Sequence, residues 1–135
     1  MARLFLLLAL FVATAAHARV EAGNWEFSLE SPLQGNGNGP VVKQRCVTPE
    51  EAADPAKVLA AARGSQCQFS NLRDSGSEYT FDVACTARIP FHGSGSVRYT
   101  PQALDGEIDL VGERQGLRLK TRSFVSGRRL GPCNN

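Results

Sequence analysis

The chain has 135 residues, a length that suits one domain. Its composition of 42% hydrophobic and 21% charged residues excludes a disordered or collagen-like protein. The formal net charge of +2 is too small for a typical nucleic-acid-binding protein, so we predict no nucleic-acid partner.

Residues 1–18 have the pattern of a secretory signal peptide. Arg3 supplies the positive charge, twelve apolar residues follow, and Ala16-His17-Ala18 is a small-x-small cleavage site. Twelve residues are too few to cross a bilayer, which takes about twenty. We therefore predict export to the periplasm, cleavage after Ala18, a single mature domain of residues 19–135, and no membrane span in that domain.

Two strands and a helix open the predicted mature domain. Trp25, Phe27 and Leu29 alternate with polar residues, which is typical of a strand with one buried face. A flexible Gly/Asn-rich loop separates this strand from a second one at residues 41–47. One helical segment should follow the second strand at residues 48–63.

The start and end of the helical segment carry recognisable signals. Thr48 is the predicted N-cap, Pro49 the first helical residue, and Glu51 the capping-box partner of Thr48. Asp54-Pro55 repeats the start signal, and Gly64 is the predicted end.

Two hairpins follow from matching apolar positions. Centring one on Gly76 places Cys67 opposite Cys85 and aligns the apolar positions of both strands. A second hairpin turns at residues 100–103 and places Tyr99 opposite Leu104.

The charge pattern of residues 105–122 predicts a third hairpin. A centre between Glu113 and Arg114 aligns the apolar residues of both strands. This register predicts three opposite-charge pairs across the strands: Asp105–Arg122, Glu107–Lys120 and Asp109–Arg118.

Four cysteines in an exported chain predict two structural disulfides. The hairpin favours Cys67–Cys85, which leaves Cys46–Cys133, while Cys46–Cys67 remains an alternative. No CxxC motif is present, and His92 is the one histidine of the predicted mature domain, so we predict neither a metal site nor a redox motif.

Together these elements predict an all-β fold. About seven antiparallel strands form an up-and-down meander, either barrel-like or strongly curved, with one short helix inserted after the second strand and two disulfides. Glycines inside the strands, such as Gly93, Gly95 and Gly106, indicate bends or close backbone approach.

Three patches of sequence resemble a known family. They are Gly23-Asn24-Trp25-Glu26, Cys46-Val47-Thr48-Pro49-Glu50 and the segment 127–133, Gly-Arg-Arg-Leu-Gly-Pro-Cys. With the four-cysteine spacing, they resemble a proteobacterial family of exported proteins labelled domain of unknown function three-six-one-seven. The resemblance covers essentially the whole mature domain and implies an exported four-cysteine protein. It brings no activity, cofactor or catalytic residue with it.

The motif Gly23-Asn24-Trp25 also resembles, more weakly, the opening of the calycin (lipocalin-type) barrels. In those barrels an arginine near the end packs over the tryptophan. Here the resemblance implies that Arg128 or Arg129 packs on Trp25 by a cation–π contact.

The functional prediction is a binding module and not an enzyme. No G-x-S-x-G elbow accompanies a serine, no phosphate loop is present, and we predict no catalytic residue and no cofactor. The main prediction is a non-catalytic, periplasmic binding module for a small apolar ligand, with Trp25, Phe91 and Tyr99 near its mouth.

Two alternatives remain open at this stage. One is a protein-interaction or inhibitor domain of the cell envelope, acting through a loop or through the C-terminal half, where residues 86–135 have a net charge of +4. The other, more weakly supported, is a hydrolase that uses scattered carboxylates such as Asp105, Glu107 and Asp109.

Overall fold

The computed structural model describes residues 19–31, 39–63, 66–86 and 88–134. The predicted signal peptide, most of the Gly/Asn-rich loop and Gly64 lie outside these described residues. No helix in the described ranges is both long enough and apolar enough to cross a membrane.

Seven antiparallel strands form one sheet in the order β2-β1-β7-β6-β5-β4-β3. In chain order the elements are β1 (Gly23–Glu30), β2 (Val41–Val47), α1 (Pro49–Ala52), α2 (Pro55–Arg63), β3 (Cys67–Asp74), β4 (Glu78–Cys85), β5 (Phe91–Tyr99), β6 (Ala103–Arg114) and β7 (Leu117–Gly131). The predicted all-β fold with seven strands, a helical insertion and two disulfides is confirmed. Strands β3–β7 form a meander, and the β1–β2 hairpin joins it beside β7.

The helical segment begins as predicted. The Thr48 hydroxyl accepts from the Glu51 amide at 3.2 Å, and the Glu51 carboxylate accepts from the Thr48 amide at 3.1 Å. The Asp54 carboxylate accepts from the Ala56 amide at 3.0 Å, so a second helix starts there. Helix α2 buries Val58, Leu59, Ala61 and Ala62, and it contacts β3 as well as β1. It therefore covers one face of the sheet, which we call the inner face.

The registers of two hairpins match the predictions. Cys67 lies opposite Cys85, and Tyr99 lies opposite Leu104. Both disulfides follow the favoured connectivity, with Cα–Cα distances of 4.0 Å for Cys67–Cys85 and 5.4 Å for Cys46–Cys133. The first bond lies in the core, and the second ties the exposed end of β2 to the segment after β7.

The predicted register of the β6–β7 hairpin was wrong. Its turn lies at Gln115-Gly116, and Asp109 faces Arg122 instead of Arg118. Both turn residues have positive φ, 51° and 77°, as a two-residue type I′ turn requires. The turn conformation decides the register because exposed ion pairs contribute at most about 1 kcal/mol each. The shift leaves every residue on its predicted face.

The inner face is filled with large apolar side chains. Its fully buried members include Trp25, Phe27, Tyr79, Val97, Ile108 and Leu110. Glycines on the strands make room for neighbouring groups. A Cβ at Gly95 would lie 2.8 Å from the Phe81 ring. A Cβ at Gly93 would collide with the backbone carbonyl of Asp109 on the neighbouring strand. The close approach predicted from the strand glycines is confirmed at these positions.

Candidate functional site

The opposite, outer face of the sheet is a grid of small hydroxyl and carboxylate side chains. Residues that pair across neighbouring strands line up in rows. One row runs Ser28, Ser126, Asp105, Arg98, Glu78, and the next runs Glu30, Phe124, Glu107, Ser96, Thr80. The small side chains of Ser126 in the first row and Ser96 in the second line a depression that crosses the strands.

Two clefts in this depression are continuous. The first, of about 470 Å³, extends from β1 to β4, and the second, of about 710 Å³, extends from β3 to β6. They share Ser96 and Glu107 as lining residues. We call the combined feature the outer groove.

Carboxylates outnumber cations in the outer groove. The lining acids are Glu30, Glu78, Asp82, Asp105, Glu107 and Asp109, and the lining cations are Arg73 and Arg98. At the rim, Arg122 forms two hydrogen bonds with Asp109, at 2.7 and 3.1 Å, and lies 3.9 Å from Glu107. The hydrogen bond from Arg122 lowers the pKa of Asp109 and raises the pKa of Arg122. The groove keeps a surplus of negative charge even with Arg122 included.

An aromatic ring stands within the groove. Phe124 is 50% exposed and has Glu30 and Glu107 as its cross-strand neighbours. The preceding residue, Ser123, is fully buried on the inner face, and its hydroxyl has no hydrogen-bond partner among the described residues. Apolar and polar residues therefore occupy the opposite of their usual faces at this point of β7. This inversion is the sequence signal that could have found the groove.

The structure does not bring the predicted ligand-mouth residues together. Trp25, Phe91 and Tyr99 all belong to the buried core. Phe91 is the first and Tyr99 the last residue of β5. Eight residue-to-residue steps along the strand separate them by about 26 Å, which is too far for one small mouth.

Tyr99 is part of a buried tyrosine pair. Its hydroxyl donates to the Asp74 carboxylate at 2.5 Å, and its ring stacks on Tyr79 with centroids 4.2 Å apart. Burial raises the pKa of Tyr79 to about 12. Burial, together with the Asp74 contact, also raises the pKa of Tyr99. Both phenols are therefore protonated at neutral pH, and their role here is packing.

The two candidate arginines have different partners. The Arg129 side chain donates to the Ala22 carbonyl at 2.8 Å, and the absence of a side chain at Gly23 leaves room for its guanidinium. The Trp25 indole donates to the Glu21 carbonyl at 2.8 Å, so both side chains fasten the same backbone segment. Arg128 instead pairs with Glu26 on the outer face at 2.9 Å. Arg129 is thus the arginine beside the tryptophan, and the cation–π contact with the ring stays a prediction.

The carboxylates named for a possible hydrolase lie in the outer groove. Asp105, Glu107 and Asp109 alternate along β6, and each has an arginine within 4 Å. Within the described ranges, no three His, Cys, Asp or Glu side chains come close enough to hold a metal ion.

Fold and site define a class: a small all-β domain with an open antiparallel sheet, a short helical cover on one face and a polar groove on the other. A family model described as "Protein of unknown function (DUF3617)" matches residues 20–133. The chain belongs to this family, as its resemblance to domain of unknown function three-six-one-seven implied. No curated protein and no solved structure matches the chain.

Proposed function

We propose that the protein is a non-catalytic binding module of the cell envelope that engages another protein through the outer groove. The observation that supports this best is the half-exposed ring of Phe124 within a groove whose carboxylates outnumber its cations. A solvent-exposed aromatic ring surrounded by polar groups is a common anchor in protein interfaces.

The shape of the groove favours a protein partner over a small apolar ligand. Pockets for small molecules enclose most of the ligand and are mainly apolar. The outer groove is open, is lined mainly by hydroxyls and charges, and crosses six strands from β1 to β3. At about 4.8 Å per strand spacing, this span is about 24 Å. An open feature of this size suits a protein surface better than it suits a small apolar molecule.

The cysteines and the leader-like segment support an envelope location. All four cysteines form disulfides, and such bonds persist in oxidising compartments such as the periplasm. Residues 1–18 carry the pattern of a cleaved export signal. Both features fit a protein that folds and works outside the cytoplasm.

Site-specific photo-crosslinking in a Gram-negative host tests the proposal. A photoreactive phenylalanine analogue is placed at position 124 of the full-length chain, and the envelope fraction is irradiated. We expect one adduct of defined mass from this position. The matched controls carry the analogue at Val41 or Leu117, which are 52% and 68% exposed and lie outside the groove.

The controls decide the outcome because they are at least as exposed as Phe124. An adduct from position 124 that is missing from both controls supports the groove as the binding surface. The same adducts from all three positions, or none from position 124, contradict the proposal.

A further inference from the structure

We infer that the partner presents a basic segment in extended conformation, with one lysine or arginine side chain lying on Phe124 between Glu30 and Glu107. This inference rests on the proposed function and adds the chemistry of the partner. It follows from the charge balance of the outer groove, the surroundings of its aromatic ring, the spacing of its acids and the long distances in two of its ion pairs.

The charge balance selects a cationic partner. Six carboxylates and two guanidiniums line the outer groove, and Arg122 at its rim brings the cations to three. Residues 32–38, which follow β1 in the sequence, contain no charged residue and leave this balance unchanged. A surface with such a surplus attracts cations and repels acidic segments.

The ring of Phe124 suits a long cationic side chain. Its cross-strand neighbours Glu30 and Glu107 each lie about 5 Å away along the sheet. Lysine and arginine have apolar stems that can cover an exposed ring while the charged end stays in water. In this position a carboxylate lies within reach on either side, and the ring face itself attracts a cation.

Two of the ion pairs in the groove are loose. Asp105 lies 3.7 Å from Arg98, and Glu107 lies 3.9 Å from Arg122. Arg122 is already held by two hydrogen bonds to Asp109. The carboxylates of Asp105 and Glu107 therefore keep the capacity to accept hydrogen bonds from a partner.

The spacing of these two acids indicates how the segment is arranged. Asp105 and Glu107 are alternate residues of β6 and lie about 6.7 Å apart on the same face. An extended peptide running along β6 presents its own alternate side chains at the same interval. The matching segment has a basic residue at every second position.

Fluorescence anisotropy with labelled decapeptides tests the inference on the oxidised mature protein. The probe alternates lysine and serine, and its counterpart alternates glutamate and serine. We expect saturable binding of the lysine peptide, weakening at least about fivefold between 50 and 300 mM NaCl, and no binding of the glutamate peptide.

Variants connect the binding to the named residues. Phe124→Ala should weaken it about fivefold and Phe124→Leu by less, because leucine keeps apolar area without a ring. The double variant Glu30→Gln, Glu107→Gln should weaken binding about tenfold. The matched control is Glu113→Gln, an exposed carboxylate at the end of β6 outside the groove lining, which should leave binding unchanged. Thermal melts check that each variant is folded.

Three outcomes overturn the inference. They are equal binding of both peptides, an equal effect of Glu113→Gln and of the double variant Glu30→Gln, Glu107→Gln, and no saturable binding of the lysine peptide. If crosslinking at position 124 succeeds while the lysine peptide fails to bind, the inference fails and the proposed function stands. If crosslinking fails as well, both fail.

Discussion

The inner and outer faces of the sheet are built from the same strands, yet only the inner face is filled. On the inner face, glycines such as Gly95 give up their side-chain space to a neighbouring ring. On the outer face, small side chains such as that of Ser96 leave a space that no other described side chain fills. The comparison teaches that a small residue on a strand has two effects. It makes room for a neighbouring large side chain on the inner face, and it leaves an open depression on the outer face.

The largest loss of stability is expected from removing the exposed disulfide and not the one that lies in the core. Cys46–Cys133 closes a separation of 87 residues and Cys67–Cys85 one of 18. In the chain-entropy model, replacing both members by alanine costs about 4–5 kcal/mol for the first bond and about 3 kcal/mol for the second. Urea unfolding of the two double variants measures both losses. A larger loss for the buried bond would show that local packing outweighs loop length.

The next prediction compares two phenylalanines on neighbouring strands. Phe27 is 1% exposed on the inner face and Phe124 is 50% exposed in the outer groove. Phe27→Ala should lower the free energy of unfolding by about 3–5 kcal/mol because it leaves a cavity in the core. Phe124→Ala should change it by less than about 1 kcal/mol. Chemical denaturation of both variants is the measurement, and similar losses at the two positions would remove the distinction between the faces.

A third prediction uses alkaline pH to probe the inner face. Burial raises the pKa of Tyr79 to about 12, above its ordinary value of 10. A raised pKa stabilises the fold below pH 10, and this contribution is lost as the pH rises from 10 to 12. We expect unfolding free energy to fall by up to about 2–3 kcal/mol over that range. Tyr79→Phe should flatten the decline, and a wild-type stability that stays constant up to pH 12 would contradict the assignment.

The smallest effect is expected at the outer face in acid. Arg122 lowers the pKa of Asp109, so their interaction stabilises the fold above about pH 4 and is lost as the pH falls through the lowered pKa. Both side chains are more than half exposed, so Arg122→Gln should cost only a small part of the stability at pH 7. The difference between wild type and variant should shrink as the pH falls below about 4. A difference that persists there would mean that Arg122 acts through packing.

Much of the fold was predictable because local signals agreed with one another. The alternation around Phe81 and the turn residues near Gly76 indicated the same hairpin, and that hairpin selected Cys67–Cys85. The capping box at Thr48 was also readable, since it depends on residues three positions apart. The β6–β7 register was not predicted correctly. The exposed charge pairs favour one register, whereas the turn at Gln115-Gly116 sets another.

The candidate site was harder to predict than the fold. A groove depends on which side chains become neighbours across strands, and Glu30, Phe124 and Glu107 come from three strands distant in sequence. Trp25, Phe91 and Tyr99 lie in the core instead of at a ligand mouth, because an aromatic residue has the same sequence signal whether it fills a core or lines a pocket. Only the inverted pair Ser123-Phe124 marked the outer face, and its meaning depends on knowing which way β7 faces.

The pairing of β1 with β7 determines when the β1–β2 hairpin can join the rest of the sheet. The contact between Ala22 and Arg129 joins residues 107 positions apart, and β1 has only β2 as a partner until β7 arrives. The disulfide of Cys46 likewise cannot form until Cys133 has been synthesised. Such non-local pairing makes folding slow compared with that of helical domains. The β1–β2 hairpin therefore cannot join the sheet until β7 has been synthesised, although β3 to β6 can already pair with their neighbours in sequence.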